Sequence, residues 1–174
     1  SLMLSEKEGR TYAEKLALEA KAAGKTVSFD VNFRSDIFRD TKSAVFEYKK
    51  IIELADVVKF SEDELKIFGS YYMENELKEK LVCVSLGGRG SEWRYKGKSA
   101  KIPSIRVKPI DTTGAGDAFY GGVLSVLDRS GGKTLDEKTL NGALRFGNIC
   151  GALNTLSRGA LDGLPDLKTV QSYL

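Results

Sequence analysis

The chain has no histidine. That single absence excludes Ser-His-Asp and Cys-His nucleophile systems and every histidine-ligated metal site. Cysteine is nearly as scarce. Cys83 and Cys150 stand in apolar surroundings without metal-ligand spacing, so both read as buried small hydrophobes, which suits a reducing cytosol. No apolar run approaches the ~20 residues of a membrane span and no signal peptide is visible. A soluble, cytoplasmic protein without a membrane partner is therefore expected. Excess charge of one sign is also missing: 27 basic and 24 acidic residues give +3, and the two signs are interspersed. With no basic stripe, no nucleic-acid partner is expected. Proline occurs three times only, and there is no proline-rich linker, internal repeat or low-complexity segment.

What is present is ordinary globular composition, with 41% hydrophobic and 29% charged residues in 174 positions. That length suits one domain with a proper core. The opening run Ser1-Leu-Met-Leu4 reads as the end of a strand. Residues 5–23 have helical spacing, with Tyr12, Leu16 and Ala20 on one face beside Ala13 and Ala17, Ser5 as N-cap and Gly24 as C′. Residues 26–33 alternate as a strand. A helix over 43–54, a short strand over 56–60 and a short helix over 62–68 closed by Gly69 follow. Residues 81–86 form a continuous apolar run of the buried parallel type. A hairpin turns around 96–98, and helices span 114–128, 135–156 and 166–174. Helix alternating with strand predicts an α/β fold: a doubly wound, mainly parallel sheet flanked by helices. Ligands in such sheets sit beyond the carboxyl ends of the strands, which directs attention to 32–34, 61–64 and the loop after Leu86.

The strongest feature follows the hairpin: Asp111-Thr-Thr-Gly-Ala-Gly-Asp-Ala-Phe-Tyr-Gly-Gly122. Two glycines around one small residue feed an apolar helical pattern, so bare amides and the positive end of a helix dipole meet at one point and favour an anion. Taken alone, Asp117 in the first turn reads first as a capping residue. Gly121 and Gly122 cost up to ~1 kcal/mol each inside a helix, for which close packing is the preferred reason.

The whole run resembles the Asp-Thr-x-Gly-Ala-Gly-Asp signature of ribokinase-like (PfkB) carbohydrate kinases. The resemblance implies Asp117 as the catalytic base that contacts the sugar hydroxyl, and the amides of Gly114, Ala115 and Gly116 as the anion hole for the transferring γ-phosphoryl group. It implies ATP as donor and Mg2+ with it. Ser85-Leu-Gly-Gly-Arg-Gly90, which is otherwise a turn into the hairpin, is similar to the family's nucleotide segment and implies contacts from Ser85, Gly87 and Gly90. Ser61-Glu-Asp-Glu64 is a capping box on its own terms; it also resembles the family's Asn-x-x-Glu, with serine in place of asparagine, which implies that Glu64 organises Mg2+ and phosphate through water. Asp30-Val-Asn-Phe-Arg34 is a solvated strand end, or resembles the Asp-x-Asn-x-Arg of fructokinases and ketodeoxygluconate kinases. The latter implies Asn32 and Arg34 near substrate and tips the sugar toward fructose.

Residues 145–153 are rich in small side chains that permit a flat ligand to approach, and Asn148 matches a position near the adenine in relatives. The resemblance further implies a monovalent cation (K+) held by Asp111, Thr113, Ser157 and Gly159, largely through carbonyls. It covers the chain throughout but only the carboxyl-terminal part of the family. The amino-terminal half, with most sugar contacts and a small β lid through which relatives often dimerise, has no counterpart, so either a truncated chain or further segments outside this sequence are expected. The implied activity is phosphorylation of a sugar primary hydroxyl, fructose at O6. A 2-keto-3-deoxygluconate kinase, a ribokinase and a non-catalytic nucleotide-binding fragment stay open beside it.

Overall fold

The structure is a computed structural model that describes residues 2–38, 40–69, 71–131 and 135–174. Contacts gather into two compact units, residues 1–83 with 94–98 and residues 84–93 with 99–174.

In the first unit, Leu2–Ser5 is a 3-10 turn rather than a strand end; Ser1 lies outside the described residues. Helix α1 spans Lys7–Ala22 and Glu6, not Ser5, holds the N-cap position, without a side-chain cap bond. Gly24 is the expected C′ residue at φ +67°, and the chain closes there with Lys25 N–H on Ala20 O and Gly24 N–H on Lys21 O, both 2.9 Å. Of the predicted face the alanines turn inward, with Ala17 buried and Ala13 and Ala20 partly so, while Tyr12 and Leu16 are more than half exposed. The small alanine side admits the neighbouring α2, Thr41–Leu54, which Asp40 caps through Ser43 N–H at 2.7 Å.

Strand β1 is only Ser28–Asp30 and runs parallel to β2, Val57–Ser61, with Asp30 opposite Lys59. The longer expected strand fails at Asn32, whose φ is +40°. Asparagine tolerates this left-handed region, and one such residue ends the pleat. Phe33 folds back onto Tyr48 with ring centroids 5.2 Å apart, in an aromatic cluster completed by Phe68 and Phe60. Helix α3, Glu62–Phe68, starts with the predicted capping box and stops at Gly69. Strand β3, Leu81–Ser85, is the apolar run foreseen.

Strands β4, Ser91–Tyr95, and β5, Lys98–Ile102, are joined by Lys96-Gly97. Both turn residues have positive φ, +49° and +74°, the signature of a type I′ turn, so the two strands are antiparallel. The five strands hydrogen-bond in the order β1-β2-β3-β4-β5. The sheet is thus mixed and the α/β expectation stands.

The second unit is carried by helices α4, Ala115–Arg129, and α5, Glu137–Asn154, followed by the short α6, Leu167–Gln171. Asp136 and Asp166 cap α5 and α6. Helices α4 and α5 pack closely because glycines face each other: a Cβ on Gly122 would lie 3.0 Å from Gly147 Cα and from Cys150 Sγ. A Cβ on Gly147 would lie 2.6 Å from Phe119 O. Gly147 and Gly151 of α5 thus serve helix packing, while Asn148, Gly151 and Ala152 also line a cavity. The packing reason holds for Gly122 but not for Gly121, which has open space around it. Both cysteines are free and buried, and burial pushes the Cys83 thiol up to about 12.

Candidate functional site

The second unit contains a cavity of about 490 Å3. Ser85, Gly87 and Gly90 contribute from the end of β3 and the turn after it, Asn148 from α5, and Ala115 and Gly116 from the start of α4. Six residues singled out in the sequence thus meet around one space of ordinary small-ligand size. Part of the wall was not foreseen. Ser104, Ile105, Arg106, Val107 and Pro109 lie on an irregular segment with no periodic signal, and Phe119 of α4 and Thr155, just past α5, add to it.

Each glycine of the first wall has its own local reason. Gly87 opens a 3-10 turn at φ +60°. Gly90 allows the chain to pass β5, since a Cβ there would sit 2.1 Å from Ile102 O. Leu86 N–H closes the turn on Gly90 O at 2.8 Å. Asn148 is 5% exposed; its Nδ2 donates to Ile102 O at 2.9 Å and Pro103 O at 3.3 Å. The amide is thereby fixed, with Oδ1 the group left to a ligand.

The turn at 111–117 is braced from two sides. Thr113 N–H and hydroxyl donate to Asp111 Oδ1 at 2.9 and 2.7 Å, and Gly159 N–H donates to Oδ2 at 2.8 Å. The Gly159 amide, the Thr113 amide and the Thr113 hydroxyl hold the Asp111 carboxyl down at about 2. Ile110 and Asp111 N–H donate to Thr155 O at 2.7 and 3.2 Å. Asn154 Nδ2 donates to Thr113 O at 3.1 Å. Gly114 then takes φ +75°, and it passes so near the 157–163 segment that a Cβ would lie 2.7 Å from Ala160 Cβ. Asp111, Thr113 and Gly159 are thus brought together, with Ser157 two residues from Gly159.

At the head of α4 the first-turn amides have no intrahelical acceptor. Ala115 N–H is the exception, drawn back to Thr112 O at 3.2 Å. The Gly114, Gly116 and Asp117 amides have no acceptor among the described residues. Asp117 is exposed, and its carboxylate likewise has no partner among the described residues. What this arrangement offers chemically is a group of oriented N–H donors at a helix N-terminus with an unengaged carboxylate in the same turn.

The remaining sequence candidates lie in the first unit. Glu64 is 8% exposed and both its oxygens accept backbone N–H groups, Phe33 at 2.5 Å and Ser61 at 2.6 Å. It is therefore a clamp between the cap of α3 and the segment carrying Asn32 and Arg34. Arg34 is exposed. Behind them Lys59, almost buried, pairs with Asp30 at 3.0 Å. Among the described residues no group of three or more acidic or cysteine side chains could enclose a metal ion. The oxygen donors at Asp111 and its neighbouring carbonyls suit a hard cation, and Mg2+ fits only as a partner of bound phosphates.

Comparison with known proteins gives a consistent result. Residues 4–167 match the pfkB family carbohydrate kinase. A fructokinase of Vibrio alginolyticus is 38% identical over 173 residues, 95% of this chain and 56% of that protein. The crystal structure of a Vibrio cholerae fructokinase in its fructose, ADP and calcium ion bound form superposes with a TM-score of 0.89 at 32% identity, covering all of this chain and 58% of that one. The aminoimidazole riboside kinase of Salmonella enterica, complexed with aminoimidazole riboside and an ATP analogue, gives 0.87 at 31% identity, covering 98% of this chain and 59% of that one. The chain spans little more than half the length of these relatives.

Proposed function

The chain belongs to the pfkB family of carbohydrate kinases, and from that premise we propose that it is the nucleotide-binding, catalytic part of an ATP-dependent sugar kinase acting on a primary hydroxyl, with fructose converted to fructose 6-phosphate. The observation that carries this reading is the convergence of Ser85, Gly87, Gly90 and Asn148 with Ala115 and Gly116 around one cavity. The base and sugar of ATP occupy that cavity beside Asn148. Its phosphates run toward the α4 N-terminus, where the Gly114 and Gly116 amides receive the γ-phosphoryl group. Asp117 orients the acceptor hydroxyl and takes its proton. Phosphoryl transfer asks little covalent chemistry of the protein, so oriented donors and positioning supply most of the rate.

Mg2+ enters with the nucleotide and supplies charge neutralisation on the phosphates; Glu64 acts on it only indirectly, through the segment it clamps. Asp111, Thr113, Ser157 and Gly159 surround the K+ position. Fructose is favoured by Asp30-Val-Asn-Phe-Arg34 and by the fructokinases among the relatives. The protein acts in the cytoplasm, and a homodimer requires a longer form that carries the lid.

A second reading is favoured by one observation, the coverage of little more than half of each relative: a unit that binds nucleotide without turning over sugar. One assay separates the two. ADP release is measured with fructose, ribose, 2-keto-3-deoxygluconate and glucose, on the chain as it stands and on any longer form that carries it. Sugar-dependent release that D117N abolishes, with ATP affinity kept, supports the kinase. Unchanged turnover in D117N removes Asp117 from the mechanism. ATP binding without turnover in any form leaves the nucleotide-binding reading.

A further inference from the structure

We propose that Asn154 is a positioning residue that fixes the direction in which Gly114 offers its backbone N–H to the phosphoryl group. The inference rests on the Gly114–Asp117 turn being the phosphate site. Asn154 is the last residue of α5 and fully buried. Its Nδ2 lies 3.1 Å from Thr113 O; only the donor end of an amide can face a carbonyl oxygen, so chemistry sets its orientation. Thr113 O and Gly114 N–H belong to the same peptide plane, which is trans. In such a plane the oxygen and the hydrogen point opposite ways. Holding the oxygen against α5 therefore turns the N–H away from it.

Among the described residues no other group donates to Thr113 O. The Asp111 carboxylate fixes the Thr113 N–H, which leaves the next peptide, Thr113–Gly114, as the first one in the turn outside its grip. Rotation of that peptide changes φ of Gly114, and glycine at +75° has no side chain to resist it. Asn154 Oδ1 has no hydrogen-bond partner among the described residues. A buried amide with one end unmet is a poor device for stability alone. The end that is met goes to the turn.

The test is equilibrium binding of ATP, ADP and adenosine to the 174-residue chain, comparing wild type with N154A and N154D across pH, with thermal melts confirming folding. The N154D carboxylate is isosteric but repels Thr113 O when ionised and donates to it when protonated. Asp111, held at about 2 by the Gly159 and Thr113 donors, keeps its charge throughout such a titration. Expected are an ATP affinity lowered about tenfold or more in both variants above neutral pH and adenosine binding unchanged. In N154D alone, ATP affinity should recover as pH falls. Equal losses for all three ligands, no loss of ATP affinity, or a flat N154D profile would overturn the inference. A wild-type chain that binds adenosine but gains nothing from phosphates overturns the phosphate-site reading and this inference with it.

Discussion

Replacing Gly114 with alanine tests the local geometry of the α4 start most severely. Two penalties can be worked from the structure. The residue sits at φ +75°, where an L side chain costs about 1–2 kcal/mol. Its Cβ would also lie 2.7 Å from Ala160 Cβ and 2.8 Å from Ala160 Cα. One partner atom is backbone, so relief requires the 157–163 segment to move, and overpacking of that kind costs about 1–3 kcal/mol. Together G114A should lose about 2–5 kcal/mol, a large share of the ~5–15 kcal/mol typical of folded proteins. G87A isolates the first penalty: φ is +60° but nothing lies within 4 Å of the new Cβ, so about 1–2 kcal/mol is expected. Urea unfolding of both variants beside wild type measures the difference. A G114A midpoint no lower than that of G87A would refute the claim that Ala160 packs against the turn.

G121A places its Cβ in open space and should stabilise the chain by about 0.5–1 kcal/mol, as alanine for glycine does in a helix. G122A meets Cys150 Sγ and Gly147 Cα at 3.0 Å and should destabilise it; thermal melts that rank the two the other way contradict the α4–α5 packing. The Asp111 carboxyl is depressed to about 2 by the Gly159 and Thr113 donors. A carboxyl depressed on folding adds stability above its unfolded value near 4 and loses it as pH falls toward 2. The Gly159 amide shift in NMR should thus titrate near 2, and a midpoint near 4 would show that the Asp111–Gly159 bond is not made.

How much of this was legible beforehand depended on whether the cause was local. Helices α3, α4 and α5, strand β3 and the hairpin are written in caps, periodicity and a two-residue turn, and those are short-range signals. The Gly114–Asp117 turn was legible for the same reason: a helix start and bare amides need only neighbouring residues. Strand β1 was overread because alternation continues through Phe33 while Asn32 takes a left-handed φ that composition does not dictate. Helix α1 was read correctly in its alanines but not in Tyr12 and Leu16, which are exposed, because packing against α2 rewards small size and spacing alone does not report that. The 103–110 wall of the cavity, the second bond of Glu64 to Phe33 and the bond from Asn154 to Thr113 are tertiary contacts between distant residues. Nothing adjacent in the chain announces them.

The central claim is that the amides opening α4 receive a terminal phosphate beside Asp117, with the nucleotide base in the neighbouring cavity. A crystal of the chain soaked with a non-hydrolysable ATP analogue and Mg2+ tests it in one experiment. The account predicts the γ-phosphate within hydrogen-bond distance of the Gly114 and Gly116 N–H groups and the adenine against Asn148. Density for the triphosphate elsewhere on the chain, with that turn bare, would contradict it.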